Sequence, residues 1–185
     1  MAHKGQIWTD AVTGDVVEVL ESAQESNGRH IRFKFLIKPG GFKPVEHLHQ
    51  KQDETFEVLR GKLTYILDGQ KKIANGGEKV VLPMAHPHTH YNDEKEDLVM
   101  IQTISPALDA EPLIESILGL ARDGKLKDGD PKFLQAMVWL RHFKARTYVA
   151  KVPIGAQNFL ALFLGPVGRL LGYKAVYKEY SGFDA

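Results

Sequence analysis

Four side chains in the first half of the chain have the types and spacing of a metal-binding site: His47, His49, Glu54 and His88. His47 and His49 are two residues apart, so on a β-strand both would point to the same face. Glu54 follows five residues later, and His88 comes from a segment further along the chain. Three imidazoles and one carboxylate form a mixed nitrogen and oxygen ligand set that suits Fe, Mn, Ni, Co, Cu or Zn. We therefore expect one divalent transition metal per chain at this site.

The segments that carry these residues resemble the two sequence motifs of the cupin family. The first reads Gly41-x5-His47-x-His49-x4-Glu54-x6-Gly61, and the second reads Gly77-x5-Pro83-x-Ala85-x2-His88-x3-Asn92, with Ala85 in place of the usual glycine. The resemblance implies a mainly β fold, the double-stranded β-helix or jelly-roll barrel, with a metal held inside by the three histidines and the glutamate. It implies less about the reaction, because this barrel hosts dioxygenases, isomerases, decarboxylases and non-catalytic binding proteins.

The pattern of residues 1–105 favours such a barrel independently. In the stretch from 31 to 37, every second residue is a large apolar one, and these residues share one face of the predicted strand. Arg32, Lys34 and Leu36 lie on the other face. This pattern is typical of a strand with one face in a core. Asp68-Gly69 is a strong two-residue hairpin signal, and further glycine turns follow. The pattern predicts about eight short strands at the spacing of a sandwich or closed barrel.

Residues 106–185 are predicted to form a helical extension, packed on the barrel or at a subunit interface. Apolar residues recur at helical spacing over Glu111 to Arg122, and Pro131 is placed to begin a second helix. A third helix is predicted from Pro153 to about Leu164, where Gly165-Pro166 should interrupt it. The pattern of Ala175 to Tyr180 favours neither helix nor strand.

Two more histidines flank His88 at two-residue spacing. His90 is the candidate acid–base group near the metal, although a histidine that only packs against its neighbours fits the same pattern. For His86 we expect an outward position, because Pro87 makes regular strand pairing doubtful there. Strand alternation also predicts that Glu46 and Asp53 point away from the metal, Glu46 as a carboxylate at the rim.

Phe56 and Val58 share the face of Glu54 on the predicted strand. We expect both side chains to wall the cavity in front of the metal. An apolar wall suits an aromatic or otherwise weakly polar ligand, and it equally suits an ordinary core.

Composition narrows the classes of partner. The chain has 185 residues, 43% of them hydrophobic and 25% charged, with 24 Lys and Arg against 23 Asp and Glu. A net charge of +1 gives no indication of nucleic-acid binding. There is no cysteine, and the first residues lack the apolar run of a secretory signal, so a cytoplasmic location is expected.

The function favoured by these residues is that of a metal-dependent oxygenase acting on a small organic molecule. A six-coordinate metal with four protein ligands keeps two positions for substrate and dioxygen. One alternative is a non-catalytic module that binds a small molecule or metal. Another is a metal-dependent sugar or keto-acid isomerase or epimerase. For a phosphorylated sugar, several Arg or Lys side chains should point into the barrel. Arg32 and Lys34 lie on the face opposite the apolar stripe, which weakens this alternative.

The apolar run from Phe159 to Gly168 is ten residues long, well short of the ~20 needed to span a bilayer. We predict no transmembrane segment. The apolar residues of this run could be buried against the barrel or a partner subunit, or could lie on a membrane surface. The prediction is a homodimer in which Phe159 to Leu164 are buried at the subunit contact.

Overall fold

Two antiparallel sheets form the body of the protein in the computed structural model, which describes residues 2–126, 130–143 and 146–181. The strands are β1 (Ile7–Thr9), β2 (Val16–Glu21), β3 (Ile31–Ile37), β4 (His47–His49), β5 (Asp53–Arg60), β6 (Lys62–Leu67), β7 (Gln70–Asn75), β8 (Lys79–Leu82), β9 (His88–Tyr91), β10 (Leu98–Ser105) and β11 (Thr147–Val149). The helices are α1 (Ala110–Arg122), α2 (Phe133–His142), α3 (Ile154–Leu170) and α4 (Lys178–Ser181).

The sheets have the strand orders β1-β2-β3-β10-β5-β8 and β11-β4-β9-β6-β7. Together they make the predicted jelly-roll barrel, with a helical segment after it. The described residues contain eleven strands where about eight were expected, and the short β1 and β11, which lack a clear alternating pattern, are among the additional ones. None of the described helices is long and apolar enough to cross a membrane.

Alternation of side chains creates the core between the sheets. Ile31, Phe33, Phe35 and Ile37 of β3 are buried, while Lys34 between them is exposed. Phe56 and Val58 of β5 are also fully buried. At the Asp68-Gly69 hairpin both residues have positive φ, 52° and 76°, as a two-residue turn between twisted strands requires.

The helix α1 matches its predicted range, and Gly124 follows it with a φ of 63°. α2 begins at Phe133, two residues after Pro131, and residues 127–129 of the preceding turn lie outside the described part. The end of the chain, for which no element was predicted, contains the short helix α4.

The predicted interruption at Gly165-Pro166 is wrong, because α3 continues through Pro166 to Leu170. A proline inside a helix leaves the carbonyl four residues earlier without its usual N–H partner. Here that carbonyl belongs to Leu162, and the Arg141 guanidinium on α2 donates to it at 3.0 Å. Gly165 and Gly168 also let α3 lie close against α2, because a Cβ at either position would collide with α2 atoms. Packing against α2 therefore compensates for the proline.

Candidate metal centre

Three strands bring the four predicted ligands together. β4 supplies His47 and His49, β9 supplies His88, and His47 is paired directly with His88 across the two strands. Glu54 comes from β5 in the other sheet, so it approaches from the opposite wall of the barrel. Alternation along β4 and β5 places His47, His49 and Glu54 on the inner faces, and His88 of β9 is fully buried.

The resulting cluster is tight and buried. One ligand atom from each residue can be chosen so that all four atoms lie within 4.8 Å of one another. Glu54 Oε1 is 3.0 Å from His49 Nε2, and Glu54 Oε2 is 3.6 Å from His88 Nε2. Each of the four residues is at most 9% exposed. The structure thus assembles the arrangement that the spacing predicted.

Hydrogen bonds on the far side of the rings orient the imidazoles. His47 Nδ1 donates to the Val45 carbonyl at 2.7 Å, and His88 Nδ1 donates to the His86 carbonyl at 2.8 Å. Because a carbonyl only accepts, both Nδ1 atoms carry the proton and both Nε2 atoms keep a free lone pair. His49 Nδ1 is 3.0 Å from the hydroxyl of Thr147 on β11. These contacts are the kind that fix metal-binding histidines in proteins.

The donor atoms on the near side fit a divalent cation. His49 Nε2, His88 Nε2 and Glu54 Oε2 are buried and have no hydrogen-bond partner among the described residues. Buried polar atoms are rarely left unpaired in a native fold, because each costs free energy. A metal ion bound by these atoms would supply the missing partner.

Electrostatics favour the ligand form of each group. Burial, together with the positive potential of His49, lowers the pKa of His47 to about 3, and burial also lowers the pKa of His88. Burial acts to raise the pKa of Glu54, but the attraction of the neighbouring imidazoles, His49 first, outweighs burial and leaves that pKa well below its usual range. At neutral pH the cluster therefore combines the neutral imidazoles of His47 and His88 with the ionised carboxylate of Glu54, an arrangement that attracts a cation.

The cluster opens on a cavity of about 260 Å³ between the barrel and the helices. His47, His49 and Glu54 line it, and so do apolar residues from β2, β3, α1 and α2. Its volume is slightly below the ~300–1,000 Å³ typical of ligand pockets. The predicted wall residues Phe56 and Val58 do not line the cavity; both are fully buried in the core, and the Phe56 ring packs 4.5 Å from that of His90.

His90 lies inward and lines the same cavity. It is 4% exposed, and its Nδ1 has no hydrogen-bond partner within the described residues. Burial lowers the pKa of His90 to about 4, so its ring is neutral at pH 7. His90 is placed to meet a ligand in the cavity without belonging to the four-ligand cluster.

The other polar residues near the motif point outward as predicted. His86 is exposed and pairs with Asp68 at 2.8 Å. Asp53 accepts a hydrogen bond from the backbone of Met84, and Glu46 forms an ion pair with Lys151.

Two residues of the site were not found from the sequence. Thr147, which contacts His49, lies in a segment expected to be helical, and Gln102 lines the cavity from β10. An inward position for Gln102 could have been read from the alternation of β10, where it shares the buried face with Met100 and Ile104. For Thr147 the sequence offers no such signal, since β11 has only three residues.

The fold and the cluster define a class: a jelly-roll barrel with a candidate metal site inside it. Residues 33–104 match the family model described as a cupin domain. By this match, the barrel of the chain contains a cupin domain.

Relatives of known name cover different shares of the chain. A protein of Hypocrea virens named "Probable oxidoreductase virH" is 29% identical over 188 aligned positions, which cover 91% of this chain and 84% of that protein. Quercetin 2,3-dioxygenase of Bacillus subtilis is 27% identical over 67% of this chain but only 36% of its own length. Among solved structures, KdgF from Halomonas sp. matches with a TM-score of 0.47 and 21% identity, over 56% of this chain and 88% of that one.

Proposed function

We propose that the protein is a metal-dependent oxygenase that acts on a small organic molecule. The observation that carries the proposal is a buried set of three imidazoles and one carboxylate, with unpaired ligand atoms, that opens on an apolar cavity. The names of two relatives, an oxidoreductase and a dioxygenase, support oxidative chemistry.

The four ligands would hold one divalent transition metal, Fe, Mn, Ni, Co, Cu or Zn. Such an ion supplies Lewis acidity, and a redox-active one also supplies dioxygen activation. The chain's own contribution is to orient the ligands through Val45, His86 and Thr147 and to exclude water with the surrounding apolar residues.

For His90 we propose a role in proton transfer. Its neutral ring faces the cavity, and Nδ1 is available to accept a hydrogen bond from a substrate hydroxyl. As the hydroxyl ionises, Nδ1 can take the proton. The Phe56 ring packs against that of His90, with the ring centroids 4.5 Å apart.

The proposal is tested by oxygen uptake. Metal-free protein is reconstituted anaerobically with Fe(II), Mn(II) or Ni(II), and consumption is followed with catechols, β-diketones and flavonols. We expect uptake that needs both metal and substrate and is lost in Glu54→Gln. It should persist in the control His86→Ala, which removes an outward side chain and keeps the backbone carbonyl that orients His88. Metal-loaded protein that binds these compounds without consuming oxygen would instead indicate the binding module, and oxygen-independent turnover of a sugar or keto acid would indicate the isomerase.

The subunit arrangement and location are also proposals. An exposed row of apolar side chains on α3 supports the homodimer: Phe159, Leu160, Leu162, Phe163 and Val167. The absence of cysteine is compatible with a reducing cytoplasm, where we place the protein.

A further inference from the structure

Helix α1 is oriented in an unusual way for an amphipathic helix at a protein surface. Its polar residues Glu111, Glu115 and Ser116 are buried, at 2%, 0% and 0% exposure. Its apolar residues Leu113, Ile114, Ile117 and Leu118 are only partly buried, and all of them line the cavity. Apolar helix faces ordinarily close against other apolar groups. On α1 these four residues pack against the two hydrophobic cores with part of their surface and border the open cavity with the rest.

The orientation of α1 is fixed by its polar side. Both carboxylate oxygens of Glu111 accept backbone hydrogen bonds, from Ala2 N at 3.1 Å and from Ala23 N at 2.6 Å. These bonds tie the helix to the N-terminal segment and to the turn after β2. The apolar face is therefore held toward the cavity by contacts on the opposite face.

Helix α2 faces the same cavity from another direction. Ala136, Trp139, Leu140 and Phe143 recur at three- and four-residue spacing along one side, and all four line the cavity. The Trp139 indole N–H is already used, since it donates to the Ala175 carbonyl at 3.1 Å. This wall therefore presents hydrocarbon and aromatic carbon to the cavity.

The charges around the cavity disfavour an anionic ligand. Among the described lining residues, Arg146 is the one Lys or Arg, against the carboxylates of Asp10 and Asp15 outside the candidate metal cluster. Asp15 accepts hydrogen bonds from the backbone of Lys38 and Phe42, which hold its carboxylate in place. A phosphorylated sugar would meet like charge here without a cluster of cations to bind its phosphate.

We propose that α1 and α2 form the specificity-determining wall of the site and that it takes a neutral, largely apolar organic molecule. The hydrocarbon body of that molecule lies against Ile117 and Leu140, and an oxygen-bearing end points to the metal ligands and His90. That the bound molecule is a substrate rests on the proposed oxygenase function. The apolar wall rests only on the orientation of the two helices.

The wall is tested by titrating metal-free protein with the neutral fluorophore N-phenyl-1-naphthylamine. We expect Ile117→Gln and Leu140→Gln to weaken binding about tenfold or more, because each places an unpaired amide in the apolar wall. Phe133→Gln, an exposed residue of α2 that does not line the cavity, should bind the probe like the wild type. Phe163→Gln controls for binding to the exposed face of α3.

A second variant guards against misfolding. Ile117→Trp keeps the wall apolar but fills the space, so it should weaken probe binding while keeping the circular-dichroism spectrum and the Tm of the wild type. Neutral 4-phenylcatechol should displace the probe, and glucose 6-phosphate at the same concentration should not. Unchanged binding in folded Ile117→Gln and Ile117→Trp, or loss of binding in Phe163→Gln instead, would overturn the proposal.

The variant His88→Ala distinguishes failure of the apolar-wall proposal from failure of the oxygenase proposal. The variant His88→Ala should lose metal and oxygen uptake and still bind the probe, because His88 is fully buried and is not a lining residue. Probe binding without oxygen uptake would leave the apolar wall intact and reject the oxygenase. Oxygen uptake with no effect of the wall variants on probe binding would support the oxygenase and reject the apolar wall.

Discussion

Thr147 shows how much of the candidate centre depends on single residues outside the two motifs. Its hydroxyl contacts His49 Nδ1 across 98 positions of sequence. Such contacts hold a ligand ring in the orientation that metal binding needs, and their loss commonly costs ~10–100-fold in metal affinity. The structure therefore assigns Thr147 a positioning role.

We expect Thr147→Val, which removes the hydroxyl but keeps the shape, to weaken Zn(II) binding by about 10- to 100-fold. Competition with a chelator of known affinity measures the change. Thr147→Ser should retain most of the affinity because it keeps the hydroxyl. Equal affinities of the valine variant and the wild type would contradict the positioning role.

Glu115 makes stability depend on pH. Burial, with repulsion from Glu111, raises its pKa to about 8, and neither carboxylate oxygen has a hydrogen-bond partner among the described residues. Between pH 4.5 and 8 the folded state holds a proton on Glu115 that the unfolded state has released. The free energy of unfolding should therefore fall as pH rises through this range, by up to roughly 3–5 kcal/mol.

The variant Glu115→Gln stays neutral, so it should match the wild type near pH 4.5 and become more stable than the wild type as pH rises toward 8. Urea unfolding at several pH values measures this difference. The exposed control Glu96→Gln should follow the wild type throughout. A difference that does not change with pH would show that Glu115 is ionised in the folded protein.

At the residue scale, the clustering of the candidate ligands could be predicted because the motifs place His47, His49 and Glu54 within eight residues of each other. Strand alternation alone gives their common face. The hydrogen bonds that orient the imidazoles could not be predicted from the sequence. The contact of Thr147 with His49, for example, joins residues that are close only in the fold. The backbone carbonyls of Val45 and His86 give no signal in residue type at all.

At the scale of elements, the contact of α2 and α3 depends on small residues. A Cβ on Gly168 would lie 2.8 Å from Val138 Cγ2 and 3.1 Å from the Leu134 carbonyl. We expect Gly168→Ala to destabilise the protein by about 1–3 kcal/mol, since one of the two helices must shift. Thermal or urea unfolding measures the change.

Gly155 on the same helix provides the control. A Cβ there would meet no atom within 4 Å, so Gly155→Ala should be neutral or stabilise by up to about 1 kcal/mol. Equal destabilisation by both substitutions would mean that the contact with α2 does not determine the effect.

The two errors at this scale have physical causes. Pro166 was expected to end a helix, but tertiary packing satisfies the carbonyl that it leaves unpaired, through Arg141 on another helix. The strand β11 was not expected because three residues carry too little alternation to be recognised. It pairs with β4 and thereby places Thr147 beside His49.

At the scale of the whole molecule, helix α3 exposes a set of large apolar side chains to solvent. Phe159, Phe163 and Leu170 are 64%, 57% and 88% exposed. Exposed apolar patches of this kind mark interaction sites. In our proposal a second copy of the chain covers this face.

We expect the wild type to sediment as a dimer at micromolar concentration and Phe163→Lys to sediment as a monomer, because the ammonium would have to be desolvated at the contact. Phe133→Lys, which changes an exposed residue of α2, should remain dimeric. A monomeric wild type at tens of micromolar would contradict the dimer.

The barrel was predictable from the sequence because strand alternation and the two motifs act over short distances. The cavity could not be predicted from the sequence, because its walls come from four elements that are distant along the chain: β2, β3, α1 and α2. In sequence, the apolar residues of α1 are indistinguishable from residues that face a closed core. Only the fold shows that they border an open space beside the candidate ligands.

Metal content is the most direct test of the central claim, that His47, His49, Glu54 and His88 form a metal centre. Untagged protein is reconstituted anaerobically with Fe(II), Mn(II) or Zn(II), desalted, and measured by mass spectrometry beside His88→Ala and His86→Ala. We predict about one ion per chain in the wild type and in His86→Ala, and none in folded His88→Ala. A folded wild-type protein that retains none of these metals, or a His88→Ala variant that retains as much as the wild type, would contradict the account.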